Sequence, residues 1–501
     1  MIPYITQLLQ APTSAEWTRF VEITAGILVT FGVGEAVRVS LRWPPEFTRK
    51  LVHISVAILI FFAPRLFVSA VPPLILAATF TLFAYGAIKL GLLKSLHAVA
   101  RGAYGTVYYP LSFLILVLLF WNSHPEIVSL SMIVMGLGDA SAAIVGESIR
   151  NPVIFHLTSD KKSIQGSAAM FLATAIGLTA GLVYFDGASH SAQTMAIAIG
   201  CAAIIATAWE ALSSRALDNL TVPLSVSFVL SYVLVPSPMR DNLQFAWGTG
   251  LGIAIGIVAY YARFLKASGA VSTFLLASLV YGVGGWKWTT PILTFFILSS
   301  VLSKMRSSRK KEAEALFDKT GTRDAGQVAA NGGVAGILVL LSCFFQRVDL
   351  YPVYLAAVAA VTADTWGTEI GTLVSGRTAS IATFSRVAPG TNGGVSAAGM
   401  AAAIVGAFVI AMSAMGWHNS WTQVLLITVS GAVGSVVDSV VGGTIQGRYL
   451  CRVCGKTTER TAHCGTPADL VGGIPRIDND LVNWVCAAAG AGAMILLGGM
   501  A

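Results

Sequence analysis

The chain has 501 residues, of which 55% are apolar and only 11% are Asp, Glu, Lys or Arg, against roughly 25% charged in an ordinary soluble domain. With a mean hydropathy of +0.74, it holds more apolar surface than a water-soluble fold can hide, and this excludes a soluble enzyme. The net charge of +8 sits in connecting segments, as the positive-inside rule predicts, and not along one face as a nucleic-acid footprint would.

A bilayer-crossing helix needs roughly 20 apolar residues. Such runs recur from near Phe20 to Gly498 and predict an all-α polytopic membrane protein of about fourteen transmembrane helices. The mixed stretch before the first run lacks a basic region and a cleavage site, so no secretory signal is expected. Near residues 236 to 245, VPSPMRDNLQF combines two prolines with charges and amides, which marks a division into modules 1–240 and 241–501. The densest basic loop runs from Lys304 through Arg306, Arg309, Lys310, Lys311 and Lys319 to Arg323. It is expected on the cytoplasmic side of the cell inner membrane, with the active sites facing the same way.

In the first module, ionisable residues occur where lipid makes them costly, about 2.5 to 3.5 kcal/mol each on insertion scales. RKLVH places Arg49, Lys50 and His53 ahead of an apolar run. Arg49 and His53 share a helix face, while Arg49 and Lys50 also read as interfacial anchors. MGLGDASAAIVGE sets Asp139 among small residues that let a polar ligand or a hydrated ion approach. SDKKSIQGS offers Lys162, Ser163 and Gly166 just before a helix, where backbone amides suit phosphate oxygens. WEALSSRALDNLTVPL supplies Glu210, Asp218 and Asn219, oxygen ligands suited to Mg2+.

Together, GDASAAIVG, KKSIQGS and DNLTVPL with Glu210 resemble, over residues 20 to 236, the dolichol kinase and phytol kinase family, which is related to CDP-diacylglycerol synthases. The resemblance implies phosphoryl transfer from CTP, or another nucleoside triphosphate, to a polyisoprenoid alcohol of the phytol or geranylgeraniol type. It implies Mg2+ at Asp139 and Asp218, and phosphates at Lys162, Ser163 and Gly166. ESIRNPVIFHLTSD stands where a second glycine-rich segment is expected. An alcohol also needs a base for its proton, for which Asp139, Glu210 and Asp218 all qualify.

The second module carries polar islands of another kind: KASGAVSTF with Lys266, GTRDAGQVAANGG with Asn331, VTADTWGTEIG, SRVAPGTNGGVS, GSVVDSVVGGTIQ and IDNDLVN. Asp364 and Asp438 sit among small residues as Asp139 does. Asp364 and Glu369, five positions apart, lie roughly 140° apart on a straight helix. They share a site only where the helix breaks or two surfaces converge. APGTNGG, with Gly390, Asn392 and Gly393, interrupts a helix and, with Arg386 nearby, forms either an anion-binding nest or a polar turn.

These segments resemble, over residues 245 to 500, the membrane family that contains phytyl-phosphate kinase and many members without an assigned activity. That resemblance implies a second phosphorylation, from prenyl monophosphate to diphosphate. Here the nucleophile is already an anion, so the need is for positive charge. Lys266, Lys304, Arg323 and Arg386 are the candidates, with Asp364, Glu369 and Asp438 for Mg2+ and Asn331, Asn392, Asn479 and Asn483 in support.

The run CRVCGKTTERTAHCG brings Cys451, Cys454, His463 and Cys464 to zinc-knuckle spacing. Structural zinc, free thiols and a disulfide all stay open, whereas Cys201, Cys343 and Cys486 lie in apolar stretches and read as core. The leading expectation is a fusion performing two successive phosphorylations. The alternatives are a cytidylyltransferase making a CDP-lipid, and a non-enzymatic lipid or ion transporter built on broken helices.

Overall fold

The structure, a computed structural model, describes residues 10–43, 45–90, 104–186, 189–238, 240–305, 322–345, 347–374, 376–418 and 420–498. Arg306, Arg309, Lys310, Lys311 and Lys319 of the basic loop lie outside the described residues. The chain forms two compact units, Met1–Asn242 and Leu243–Ala501. Among the described residues, eleven helices are long and apolar enough to cross a membrane, and three shorter apolar helices accompany them. The protein is an all-α polytopic membrane protein, and among the described residues its strands form small sheets of two or three strands.

Unit 1 contains α1 (Ser14–Leu41), α2 (Pro45–Phe61), the short α3 (Ala63–Leu66), α4 (Val71–Lys89), α5 (Gly105–Phe120) and α6 (Pro125–Ser148). After α6 come β1 (Ile154–Phe155), β2 (Lys162–Ser163), α7 (Ile164–Asp186), α8 (Ala192–Leu212) and α9 (Asp218–Leu234). Helix α6 is the axis of the unit: it packs against α2, α7 and α9, and its side chains are buried without interruption from Ile127 to Gly136. Small residues make this possible, since a Cβ on Gly136 would stand 2.2 Å from that of Ala57 on α2. One buried acid is structural. Glu16 closes a capping box with Thr13 and accepts the N–H groups of Val68 and Ser69 at 2.8 Å each, fixing the turn into α4.

Unit 2 contains α10 (Asn242–Tyr261), α11 (Ala267–Lys304), α12 (Ala325–Ser342) and α13 (Tyr351–Leu373). The ribbon β3 (Thr378–Ser380) and β4 (Gly394–Ser396) leads to α14 (Ala397–Ser413), the short α15 (Met415–His418) and α16 (Trp421–Thr444). Strands β5 (Arg448–Leu450), β6 (Thr457–Thr458), β7 (Ala462–His463), β8 (Thr466–Pro467) and β9 (Asp469–Gly472) precede α17 (Asn479–Leu496). Helix α11 is broken at Gly285, whose φ of 56° interrupts the helix. Helix α13 is the axis here, packed by α11, α12, α14, α16 and α17 and buried continuously from Tyr351 to Ala363. It is not among the eleven apolar helices, because Asp364, Glu369 and its threonines dilute its apolar residues, and the surrounding helices bury the half that precedes them.

Candidate active sites

Unit 1 encloses a cavity of about 440 Å³ built from helix ends. The starts of α2, α5, α7 and α9 and the ends of α6 and α8 all reach it. Asp139 of α6 forms an ion pair with Lys50 of α2, and the two side chains are only 7% and 5% exposed. Lys50 is therefore the partner of the buried acid, not an interfacial anchor, because a carboxylate in a dry interior holds its charge only when a cation meets it. Arg49 also lines the cavity. His53, one turn on, does not; its ring packs against Tyr109 at 5.0 Å, and its buried Nδ1 makes no hydrogen bond among the described residues.

The segment expected to carry a glycine motif is instead a hairpin. Phe155 pairs with Lys162 and Ile154 with Ser163, which turns the chain back toward α6. Lys162 forms an ion pair with Glu210 and lies 3.6 Å from Asp218. Burial alone would discourage its ammonium, but Glu210 and Asp218 outweigh that and hold its pKa above the ordinary lysine value. Ser163 Oγ accepts the Gly166 N–H at 3.1 Å. A Cβ on Gly166 would meet the Ala142 carbonyl oxygen at 2.8 Å, so this glycine lets α7 start hard against α6. Asp218 Oδ1 accepts the backbone and side-chain N–H groups of Asn219 at 3.0 and 3.2 Å. Asp139, Glu210, Asp218, Asn219, Lys162, Ser163, Gly166 and Arg49 thus share one chamber. Metal at Asp139 or Asp218 would compete with a lysine already in place.

Unit 2 encloses a second cavity of about 350 Å³, lined by Asp364, Glu369, Asp438, Arg323, Gly390, Asn392, Gly393, Asn331, Asn479 and Asn483. Helix α13 runs unbroken through Asp364 and Glu369. The cavity therefore wraps the end of the helix, and it is the converging surfaces that unite the two acids. Asp364 and Asp438 turn their carboxyl groups toward one another. Asp438 Oδ1 and Asn392 Nδ2 are buried with no hydrogen-bond partner among the described residues. An all-oxygen set with an unmet buried oxygen fits a hard divalent cation such as Mg2+. Gly393, at φ 70°, lies so close to α16 that a Cβ would stand 2.5 Å from Gly443 Cα.

Of the four expected cations, only Arg323 lines this cavity. Its guanidinium lies 5.5 Å over the Phe295 ring and 6.0 Å over Phe296. Lys266 pairs with Asp324 at 3.7 Å, Lys304 donates to the Ala262 carbonyl at 2.8 Å, and the Arg386 side chain is exposed, all off the cavity. Arg323, Gln327 and Asn331 also border a small apolar pocket formed by residues such as Leu276, Ile292 and Phe296. The sequence reading missed Ser303, which donates to Glu369, and Gln446, whose Nε2 donates to Glu459 at 3.0 Å; all of these except Glu369 were unread wall residues.

Outside both cavities, the ligand atoms of Cys451, Cys454, His463 and Cys464 lie within 4.8 Å of one another. His463 Nδ1 is 3.5 Å from Cys454 Sγ and 3.3 Å from Cys464 Sγ.

Residues 250–491 match the family described as integral membrane protein DUF92. Protein PGR of Arabidopsis thaliana is 28% identical over 257 residues, 46% of this chain and 88% of that protein. An uncharacterized membrane protein of Methanocaldococcus jannaschii is 28% identical over 230 residues, 45% of this chain and 92% of its own length. No solved structure matches. A phytol kinase of Synechocystis is 32% identical over 191 residues, 37% of this chain and 78% of that enzyme, and the chain belongs to the same membrane protein family as this kinase.

Proposed function

We propose that unit 1 phosphorylates a membrane-dissolved isoprenoid alcohol and that unit 2 phosphorylates the resulting monophosphate. The observation that carries the first step is the gathering of three acids and the lysine hairpin in one chamber at the helix ends. The kinship with a phytol kinase supports it. Phosphoryl transfer asks a protein mainly to position reactants and balance charge. Lys162, released in part from Glu210, would take phosphate oxygens of CTP or another nucleoside triphosphate. Lys50, paired with Asp139, brings a second lysine to the same chamber. Asp218 takes the alcohol proton, since among the described residues the ion-pair partner of its Oδ2 is a lysine 3.6 Å away.

In unit 2, Arg323 stands where the polar cavity meets the apolar pocket. That border suits an amphiphile with an anionic head and a hydrocarbon tail. The incoming phosphate is already nucleophilic, so Arg323 screens the approach of two anions and no base is required. Asp364, Asp438 and Asn392 would hold Mg2+, which supplies further screening of phosphate charge. Both chambers would open toward the cytoplasm, where nucleotide is available.

The test is to give purified protein phytol, geranylgeraniol or farnesol with Mg2+ and CTP labelled at the γ or the α phosphate, then separate mono- from diphosphate products. Label from the γ position in the lipid supports the kinase, whereas lipid labelled only from the α position indicates cytidylyl transfer. Asp218→Asn should abolish the monophosphate, and Asp364→Asn should let it accumulate. No nucleotide-dependent lipid product at any chain length would overturn the proposal.

A further inference from the structure

Between α16 and α17 the chain leaves the helices for a segment it is poorly equipped to fold. Strands β5 to β9 are two to four residues long, and Val453, Val471 and Ile474 are more than half exposed. So small a body cannot build a sufficient core, and such bodies are usually stapled. Two tight turns converge here. In the first, Gly455 at φ 67° donates its N–H to the Cys451 carbonyl at 2.9 Å, closing Cys451–Cys454 into a knuckle. In the second, His463 pairs with Thr466 across a hairpin turn through Cys464 and Gly465, both at positive φ. Each turn presents two donors to one point, and Cys451, Cys454 and Cys464 carry free thiols.

We infer that Cys451, Cys454, His463 and Cys464 hold a structural Zn2+, and that this ion fixes Glu459 in the wall of the unit 2 cavity. Three sulfurs and one imidazole nitrogen are a closed tetrahedral set for zinc and a poor one for Mg2+. A disulfide would strand the third thiol and the histidine. Glu459 sits midway along the loop that joins Cys454 to His463. It lines the cavity with Asp364 and Asp438 and accepts from the buried Gln446 at the end of α16. The zinc clamps both ends of that loop, so removing it frees Glu459 from the wall. This inference concerns position only and does not rest on the phosphorylation chemistry.

The full-length protein, purified in detergent with reductant, should contain about one zinc per chain by mass spectrometry. Cobalt exchanged into it should give thiolate-to-metal absorption. Cys454→Ser should lose both signals and Cys343→Ser neither. Trypsin reads the positional claim, because Lys456 and Arg460 flank Glu459: chelation of the wild-type protein should expose both sites at least tenfold faster without new cuts in the helices. The chelation arm stands even where Cys454→Ser fails to fold. Intact protein without zinc or cobalt–thiolate absorption, full zinc in Cys454→Ser, or unchanged cleavage after zinc removal would each overturn the inference. Failure of the lipid kinase assay leaves all three readouts unaffected.

Discussion

In unit 1 the buried acids of the chamber are met by lysines: Asp139 by Lys50, Glu210 and Asp218 by Lys162. In unit 2 the two aspartates of the chamber face each other, and Arg323 is the one expected cation that reaches the wall. Both chambers rest on a buried central helix with an aspartate among small residues, so local sequence makes them look alike. The difference lies in what neutralises the acid. Unit 1 brings its own counter-charges, whereas for unit 2 we propose that a cation from outside supplies the charge its facing aspartates lack. A dissociable cation should therefore matter most to unit 2, and covalent side-chain charge to unit 1.

The largest effect should come from breaking the built-in pair. Lys50→Met leaves Asp139 buried without its ion-pair partner, at a cost of about 3–5 kcal/mol. The double variant with Asp139→Asn should recover much of that loss in thermal melts. A single variant as stable as wild type would erase the distinction between the units. Next is the reverse test in unit 2, where Mg2+ at a hundred times its dissociation constant should stabilise the protein by about 2.7 kcal/mol. Asp438→Asn should raise stability without Mg2+ by relieving the facing carboxylates, and should flatten the Mg2+ dependence. Lys50 and Asp139 variants should keep that dependence.

A smaller effect, about 1–3 kcal/mol, is expected for Gly393→Ala, which forces a side chain against α16 in the wall of the acid chamber. Its melting temperature should fall while zinc content stays constant. The smallest changes belong to Lys266→Ala, Lys304→Ala and Arg386→Ala, which lie off the cavity and should each shift stability by no more than about 0.5 kcal/mol. Diphosphate formation should be retained in all three and lost in Arg323→Ala. Equal losses across the four would return the missing positive charge to the wider loop.

Much of this was legible in the chain itself. Composition announced the membrane, and an aspartate within an apolar helical run announced each chamber, because only function or a partner justifies such a residue in lipid. The partners were not legible. Lys50 is 89 positions from Asp139, and no local pattern distinguishes it from a lysine anchored at the interface. Lys266, Lys304 and Arg386 looked as suitable as Arg323, since sequence gives charge but not the direction a side chain takes. Gln446 ends the GSVVDSVVGGTIQ island and Glu459 lies inside the Cys/His run, and no local pattern shows that the fold brings the two together. The glycine motif missing before Lys161 was replaced by geometry: a hairpin of two-residue strands delivers Lys162 where a polar loop was expected.

The enclosed helix α13 also decides how the chain must be threaded. Arg323 precedes α12, and Glu459 follows α16, yet both line one chamber, so a chamber that opens at one face of the bilayer requires an even number of crossings between them. Helices α12, α13, α14 and α16 lie between these two residues, and four crossings, an even number, would return the chain to its starting side. Of these four, only α12 and α16 are long and apolar enough to cross by length and composition, α14 being shorter and α13 more polar; a map that adds the apolar α14 but omits α13 counts three and sends every later loop to the opposite face. Labelling engineered cysteines at Arg323 and Lys456 from one side of sealed vesicles would read that parity directly.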